Sequence, residues 1–233
     1  MWDPQVRDLG NRVRFLRWDL RGHGRSDSPE DASLYTHAAS VGDMVGVLDA
    51  CGVKQAVIGG LSLGGYLSLA FYLAHPDRVR ALVLCDTGPG YKKEEARAAW
   101  NRFAEGSARR YEQKGLAALG SSAEVRIAQH GSAVGLAMAA RGILAQRDSR
   151  VIESLPGIRV PVLLVVGAND EPFLAGMRYM AEKIPGAVHS VIPAAGHAPN
   201  LEQPDAFNQV LDRFLAGLPA AMTLEVKEKN GNR

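Results

Sequence analysis

The run Gly60-Leu61-Ser62-Leu63-Gly64-Gly65 constrains this chain more than any other. An apolar strand pattern, Gln55-Ala56-Val57-Ile58-Gly59, leads into it, and an apolar helix pattern from Leu63 to His75 leaves it. A strand that turns at once into a helix needs neighbours without side chains. Gly60 and Gly64 are expected to let the backbone pass without a Cβ clash, and Gly65 to let the helix pack close to neighbouring strands. Ser62 then stands above the carboxyl edge of a parallel sheet, at a helix N-terminus whose dipole and free N–H groups favour negative charge. Chance alone can produce a glycine-rich loop of this composition, but a strand before and a helix after favour a nucleophile at the apex.

Around this turn, strand runs alternate with amphipathic helices, the pattern of a parallel α/β sheet with helices on both faces. Val13–Trp18 reads as a strand ending at Asp19. Val41, Met44, Val45 and Leu48 recur at i, i+3, i+4 and i+7, which predicts a helix from Thr36 to Cys51. Further strands are expected over Ala81–Cys85, Val160–Val166 and Val188–Ile192, and a closing helix over Pro204–Leu218. Between Gly88 and Leu155 the alternation stops, and an Ala-, Arg- and Glu-rich stretch with helical spacing suggests a lid over the sheet edge. It holds 11 Lys/Arg against 7 Asp/Glu, a bias that ordinary solvated helix faces account for better than a basic roof over an anionic substrate. The expected organisation is a first core part over residues 1–88, a helical lid over 89–155, a second core part over 156–218 and a polar tail over 219–233, frayed from Thr223 onward.

Composition sets bounds. With 233 residues, 46% of them hydrophobic, the chain suits one globular domain carrying an insertion. A net charge of +2 and no basic stripe interleaved with aromatics argue against nucleic acid. No apolar run reaches the roughly 18–20 residues of a membrane span. The two cysteines, Cys51 and Cys85, read as buried small hydrophobes, which fits a reducing, cytoplasmic compartment.

A serine hydroxyl needs a base to take its proton and a carboxylate to orient that base. After the strand ending at Val166 comes Gly167-Ala168-Asn169-Asp170-Glu171-Pro172, and after the strand ending at Ile192 comes Pro193-Ala194-Ala195-Gly196-His197-Ala198-Pro199. Both loops leave the carboxyl ends of parallel strands, where open α/β sheets place their sites. His197 is the candidate base and Asp170 the candidate acid. Asp170 is equally placed to cap the following helix, and Glu171 and Asp86 are alternative acids. The remaining histidines carry weaker signals. His23 reads as a turn histidine, His75 as a helix-end cap before Pro76, and His37, His130 and His189 as lacking supporting neighbours. No cluster has metal-ligand spacing, and nothing resembles a phosphate-cradling loop or a dinucleotide fingerprint, so neither metal nor cofactor is expected.

Four segments now carry a resemblance: Asp19-Leu20-Arg21-Gly22-His23-Gly24-Arg25-Ser26-Asp27, Gly60–Gly65, Gly167–Asp170 and Gly196-His197. Over about residues 1–218 the chain resembles the α/β-hydrolase superfamily. Within it, the likeness is to the small bacterial enol-lactonase, carboxylesterase and C–C-bond hydrolase branches. Serine at the elbow argues against the epoxide hydrolase and haloalkane dehalogenase branches, which place aspartate there. The resemblance implies a Ser62–His197–Asp170 triad, a covalent acyl-enzyme and one oxyanion hydrogen bond from the Leu63 N–H, acting on a small-molecule acyl substrate.

The resemblance also implies a second oxyanion donor, from a His-Gly loop after a strand lying between the Asp19 strand and the elbow strand. Met1–Val6 already reads as the helix that follows this loop, so a chain shortened by roughly 35–45 residues is expected from the fold's anatomy. A gap in the sheet is then one outcome, and direct pairing of the Asp19 strand with the elbow strand is the other. The expected activity is serine-dependent cleavage of an ester or lactone. The rivals are an impaired hydrolase-like interaction protein, a C–C bond hydrolase and a cofactor-free perhydrolase. Substrate identity and oligomeric state stay open, and Trp100, Phe103, Tyr111 and Met138 in the lid are assigned to neither pocket nor core.

Overall fold

A computed structural model describes residues 1–219. Its sheet has four parallel strands in sequence order: β1 (Ala56–Leu61), β2 (Val79–Cys85), β3 (Val162–Gly167) and β4 (Val188–Ile192). The polar tail expected from Thr223 lies outside the described residues.

The sheet's apolar residues divide by parity. Ile58, Leu82, Leu84, Val162, Leu164 and Val166 share one core with α2 (His37–Ala50), α3 (Leu63–Ala74) and α8 (Glu171–Lys183). Leu61, Val83, Cys85, Leu163, Val165 and Ile192 share the other with α1 (Asp3–Leu9) and α10 (Pro204–Ala216). Successive strand side chains point to opposite faces, so a strand with two covered faces reads as a continuous apolar run. All six residues of β3 are buried for this reason. Helix α2 starts where the Thr36 hydroxyl accepts the Ala39 N–H at 3.0 Å, an N-cap that the sequence marks.

The segment expected as a lid is helical. It contains α4 (Glu94–Lys114), α5 (Ala123–Ile127), α6 (Ala133–Ala139) and α7 (Arg150–Ser154), with a π-helical stretch over Ala140–Leu144. Arg141 bridges Glu105 (2.8 Å) and Glu112, tying α6 and its π-helical extension back to α4. Two short pieces complete the fold: α9 (Pro199–Glu202), and the turn before α10.

One predicted element is absent. Val13–Trp18 forms no strand, and β1 pairs with β2 alone, at the sheet edge. The segment keeps a strand's alternation: Leu16 and Trp18 pack on the first core, and Val13 and Phe15 on the second. It has side-chain burial on both sides and no backbone ladder, because a strand needs a neighbour to take its N–H and C=O groups. The rim of the segment is held by side chains instead. Arg14 donates to the Cys51 carbonyl (3.2 Å), and Arg17 pairs with Asp3.

Both cysteines are free, but only Cys85 is buried; Cys51, at the helix end, is partly exposed. Among the described residues no helix is long and apolar enough to cross a membrane.

Candidate active site

The parallel sheet delivers four loops to its carboxyl edge, and the predicted residues sit on them. Ser62 follows β1 with φ 53° and ψ −115°, a left-handed backbone that a non-glycine residue adopts only when its surroundings enforce it. The enforcement is visible. The Ser62 N–H donates to the Cys85 carbonyl at 2.9 Å, and the Ser62 carbonyl accepts the Tyr66 N–H at 3.1 Å and the Thr87 hydroxyl at 2.6 Å. A Cβ on Gly60 would lie 2.4 Å from the Gly64 carbonyl carbon, so the turn admits only glycine there. A Cβ on Gly65 would meet the Thr87 side chain at 2.6 Å. Gly64 differs from expectation: a Cβ there would face open space. Ser62 precedes the first residue of α3, which places the Leu63 N–H among the unpaired donors of a helix start.

Asp170 is buried at the start of α8, and its carboxylate makes no helix-cap bond. Its Oδ2 accepts the His197 Nδ1–H at 2.7 Å instead. Of its two candidate roles, the side chain takes the one toward histidine. Phe173, one turn into α8, lies 4.9 Å from the His197 ring, centroid to centroid. Glu171 is exposed. Among the described residues, His197 makes no hydrogen bond to Ser62 Oγ. The structure thus joins two of the three predicted partners directly, and the third stands on the turn after β1.

Two positioning groups, Glu202 and Thr87, escaped the sequence reading. The Glu202 carboxylate accepts the Gly196 N–H (2.8 Å) and the Ala198 N–H (3.0 Å), clamping the histidine's two neighbours. Thr87 clamps the elbow, as described. Asp86, weighed above as an alternative acid, is fully buried behind Asp170, and its Oδ1 accepts the Gly167 N–H at 2.9 Å. Asp86, Asp170 and His197 offer ligand atoms within 4.8 Å of one another. Two of these atoms are already spent on the Asp170–His197 hydrogen bond. The only available signal for Thr87 and Asp86 was their place at the carboxyl end of a strand; Glu202 had none beyond its nearness to His197.

Several histidines have partners that the sequence did not show. His37 Nε2–H donates to the Ile143 carbonyl at 2.7 Å, and its ring lies 5.1 Å from Tyr66. His130, between α5 and α6, accepts the Gly24 N–H at 3.0 Å, and its ring meets that of His23 at 5.7 Å. Burial holds His23, His37 and His130 below the ordinary histidine range. His75 makes no side-chain cap bond and stacks at 5.5 Å on Phe71. In the helical segment after β2, the Trp100 indole N–H donates to the Leu144 carbonyl (2.8 Å), Phe103 is exposed, and Tyr111 and Met138 pack on buried clusters.

The arrangement matches known proteins along nearly its whole length. Residues 1–210 match the model of the alpha/beta hydrolase family. The chain is 29% identical to 3-oxoadipate enol-lactonase 1 of Acinetobacter baylyi, over 94% of this chain and 84% of that protein. It is 32% identical to 2-hydroxymuconate semialdehyde hydrolase of Pseudomonas putida, over 87% and 77%. A thermophilic esterase from Thermogutta terrifontis superposes with a TM-score of 0.76 at 29% identity, covering 93% of this chain and 85% of that one. The shared fold and a family match over residues 1–210 carry one conclusion: the chain belongs to the alpha/beta hydrolase family.

Proposed function

We propose that this family hydrolase cleaves a small ester or lactone through an acyl-enzyme, with Ser62 as nucleophile, His197 as base and Asp170 as the carboxylate that orients the base. The observation that carries it is the 2.7 Å hydrogen bond from His197 Nδ1 to a buried Asp170, on loops adjoining a strained serine elbow. That bond fixes the tautomer in which Nε2 is free to accept a proton. His197 takes the Ser62 proton as Oγ attacks the substrate carbonyl. The tetrahedral oxyanion receives the Leu63 N–H, with the positive end of α3 behind it. Collapse expels the alcohol, protonated by His197, and water repeats the sequence to release the acid. Relatives named as an enol-lactonase and an esterase support the ester or lactone class.

Asp170→Asn tests the assignment of the base. The variant would hold His197 in the wrong tautomer, and kcat on an active ester should fall about 10⁴-fold with little change in KM. Unchanged turnover would remove Asp170 from the mechanism.

One observation favours the weaker rival, a hydrolase with an incomplete oxyanion hole. With β1 at the sheet edge, no strand next to it presents a second donor among the described residues. Loss of one donor costs about 10²–10³ in kcat. A turnover that low, with Ser62 still required, is the signature of that state.

A further inference from the structure

The loop after β2 holds a second carboxyl group, and the chemistry above does not use it. Asp86 sits in a left-handed conformation (φ 42°), with its backbone N–H donated to the Val165 carbonyl at 2.9 Å. Its side chain is fully buried. Oδ1 accepts the Gly167 N–H at 2.9 Å, while Oδ2, also buried, has no donor to accept from. A carboxylate in this place would leave one oxygen bare and stand beside another carboxylate. The groups facing it are Asp170 at the start of α8, Glu202 of α9 and His197, with the Cys85 thiol beside it in the chain. None of them is a permanent cation.

Two carboxyl groups this close do not both ionise in a site shielded from water. Asp170 accepts the His197 N–H, so it is the member that benefits from being charged. Asp86, deeper and without a cation, is the member that keeps a proton. As an acid its Oδ2 becomes a donor, and Asp170 is the acceptor within reach. The bare oxygen and the crowded charges are then explained together.

We propose that Asp86 is a positioning residue: its buried carboxyl group donates a hydrogen bond to Asp170 and holds the carboxylate that orients His197. The proposal rests on the Ser62–His197–Asp170 assignment. Burial first, opposed by the Gly167 N–H and reinforced by Asp170 and Glu202, pushes the Asp86 carboxyl up to about 9, consistent with a proton retained at neutral pH. The competing role is a purely structural tie between β2 and β3 through Gly167.

The test has two arms on the full chain. In the first, carboxyl-carbon NMR of labelled protein follows Asp86, identified by the signal that Asp86→Asn removes. A carboxyl that stays protonated through neutral pH and titrates near 9 supports the proposal; one that titrates near the ordinary 3.8 overturns it. This arm needs no turnover, so it stands even if the chain is a poor catalyst. In the second, kcat/KM is measured against pH. Asn retains an acceptor for Gly167 and a donor for Asp170, so Asp86→Asn should stay within about threefold of the parent near neutral pH. Asp86→Ala should lose about 10- to 100-fold, the range for outer partners of functional histidines. The parent should also show an alkaline fall near pH 9 that Asp86→Asn lacks. Superimposable profiles for parent and Asp86→Asn, or an Asn variant as poor as the Ala variant, would overturn the proposal. Asp170→Asn in the same series separates the failures. If it retains turnover, the triad assignment fails; if it is silenced while the parent and Asp86→Asn profiles coincide, only the role of Asp86 does.

Discussion

At the scale of the residue, Ser62 owes its conformation to what its neighbours lack and what Thr87 supplies. Gly60→Ala would drive a methyl into the Gly64 backbone, where nothing flexible can yield, and should destabilise the fold by about 1–3 kcal/mol or more. Thr87→Val keeps the bulk against Gly65 and removes only the donor to the Ser62 carbonyl. A loss of about 0.5–1.5 kcal/mol is expected, since Tyr66 N–H still serves that carbonyl. Denaturant titration of both variants checks this: a Thr87→Val loss as large as that of Gly60→Ala would mean that the elbow is held by Thr87 rather than by sterics. Asp86 adds a pH dependence with a definite sign. Its folded form keeps a proton that the unfolded chain releases near 3.8, and it lets go only at about 9. Its contribution to stability is therefore complete below the lower value and is lost progressively as pH rises through the upper one. The melting-temperature advantage of Asp86→Asn over the parent should grow from pH 5 to pH 9; a constant difference would contradict the raised value. The Asp170–His197 pair was legible from residue type and loop position. Thr87 and Glu202 were not, because a hydroxyl or carboxylate that binds backbone N–H or C=O groups has no sequence signature apart from its three-dimensional neighbours.

At the scale of the element, period-2 and period-3.6 patterns read well wherever an element has neighbours on both sides. Strands β1 to β4 and helices α2, α3 and α10 lie within about two residues of their expected bounds, because buried side chains enforce both periodicities. Val13–Trp18 shows the limit. Its alternation correctly places Val13 and Phe15 on one core and Leu16 and Trp18 on the other, yet alternation reports side-chain burial and says nothing of the ladder. Helix α10 rests on the sheet through Phe207, which is fully buried and 6.1 Å from Trp2 of the α1 cap. Phe207→Ala should cost about 3–5 kcal/mol and weaken α1 with it, seen as a lowered unfolding midpoint. A loss below about 1 kcal/mol would mean that α10 is not an integral part of this core. The helical segment between β2 and β3 meets the turn at Gly24 through His130. Burial lowers the His130 value below the unfolded 6.5, so this contact is intact above that range and lost as pH falls through the folded value, when the ring nitrogen becomes a donor. Limited proteolysis of this helical segment should accelerate on acidification in the parent and show less pH dependence in His130→Ala.

At the scale of the whole molecule, one sheet edge gathers the chemistry and another stands open. Loops after β1, β2, β3 and β4 bring Ser62, Asp86, Asp170 and His197 to a common rim, as parallel topology requires, while among the described residues the opposite flank of β1 has no strand beside it. The proposed chemistry rests on the first fact, and its strength depends on how much the second matters. Covalent labelling weighs both at once. The full chain is treated with a fluorophosphonate probe beside Ser62→Ala, and the adduct is located by intact and peptide mass spectrometry. The account predicts one adduct per chain, on Ser62, absent from the variant and greatly slowed in Asp170→Asn. A folded parent that takes up no probe, or takes it up equally well without Ser62, would contradict it.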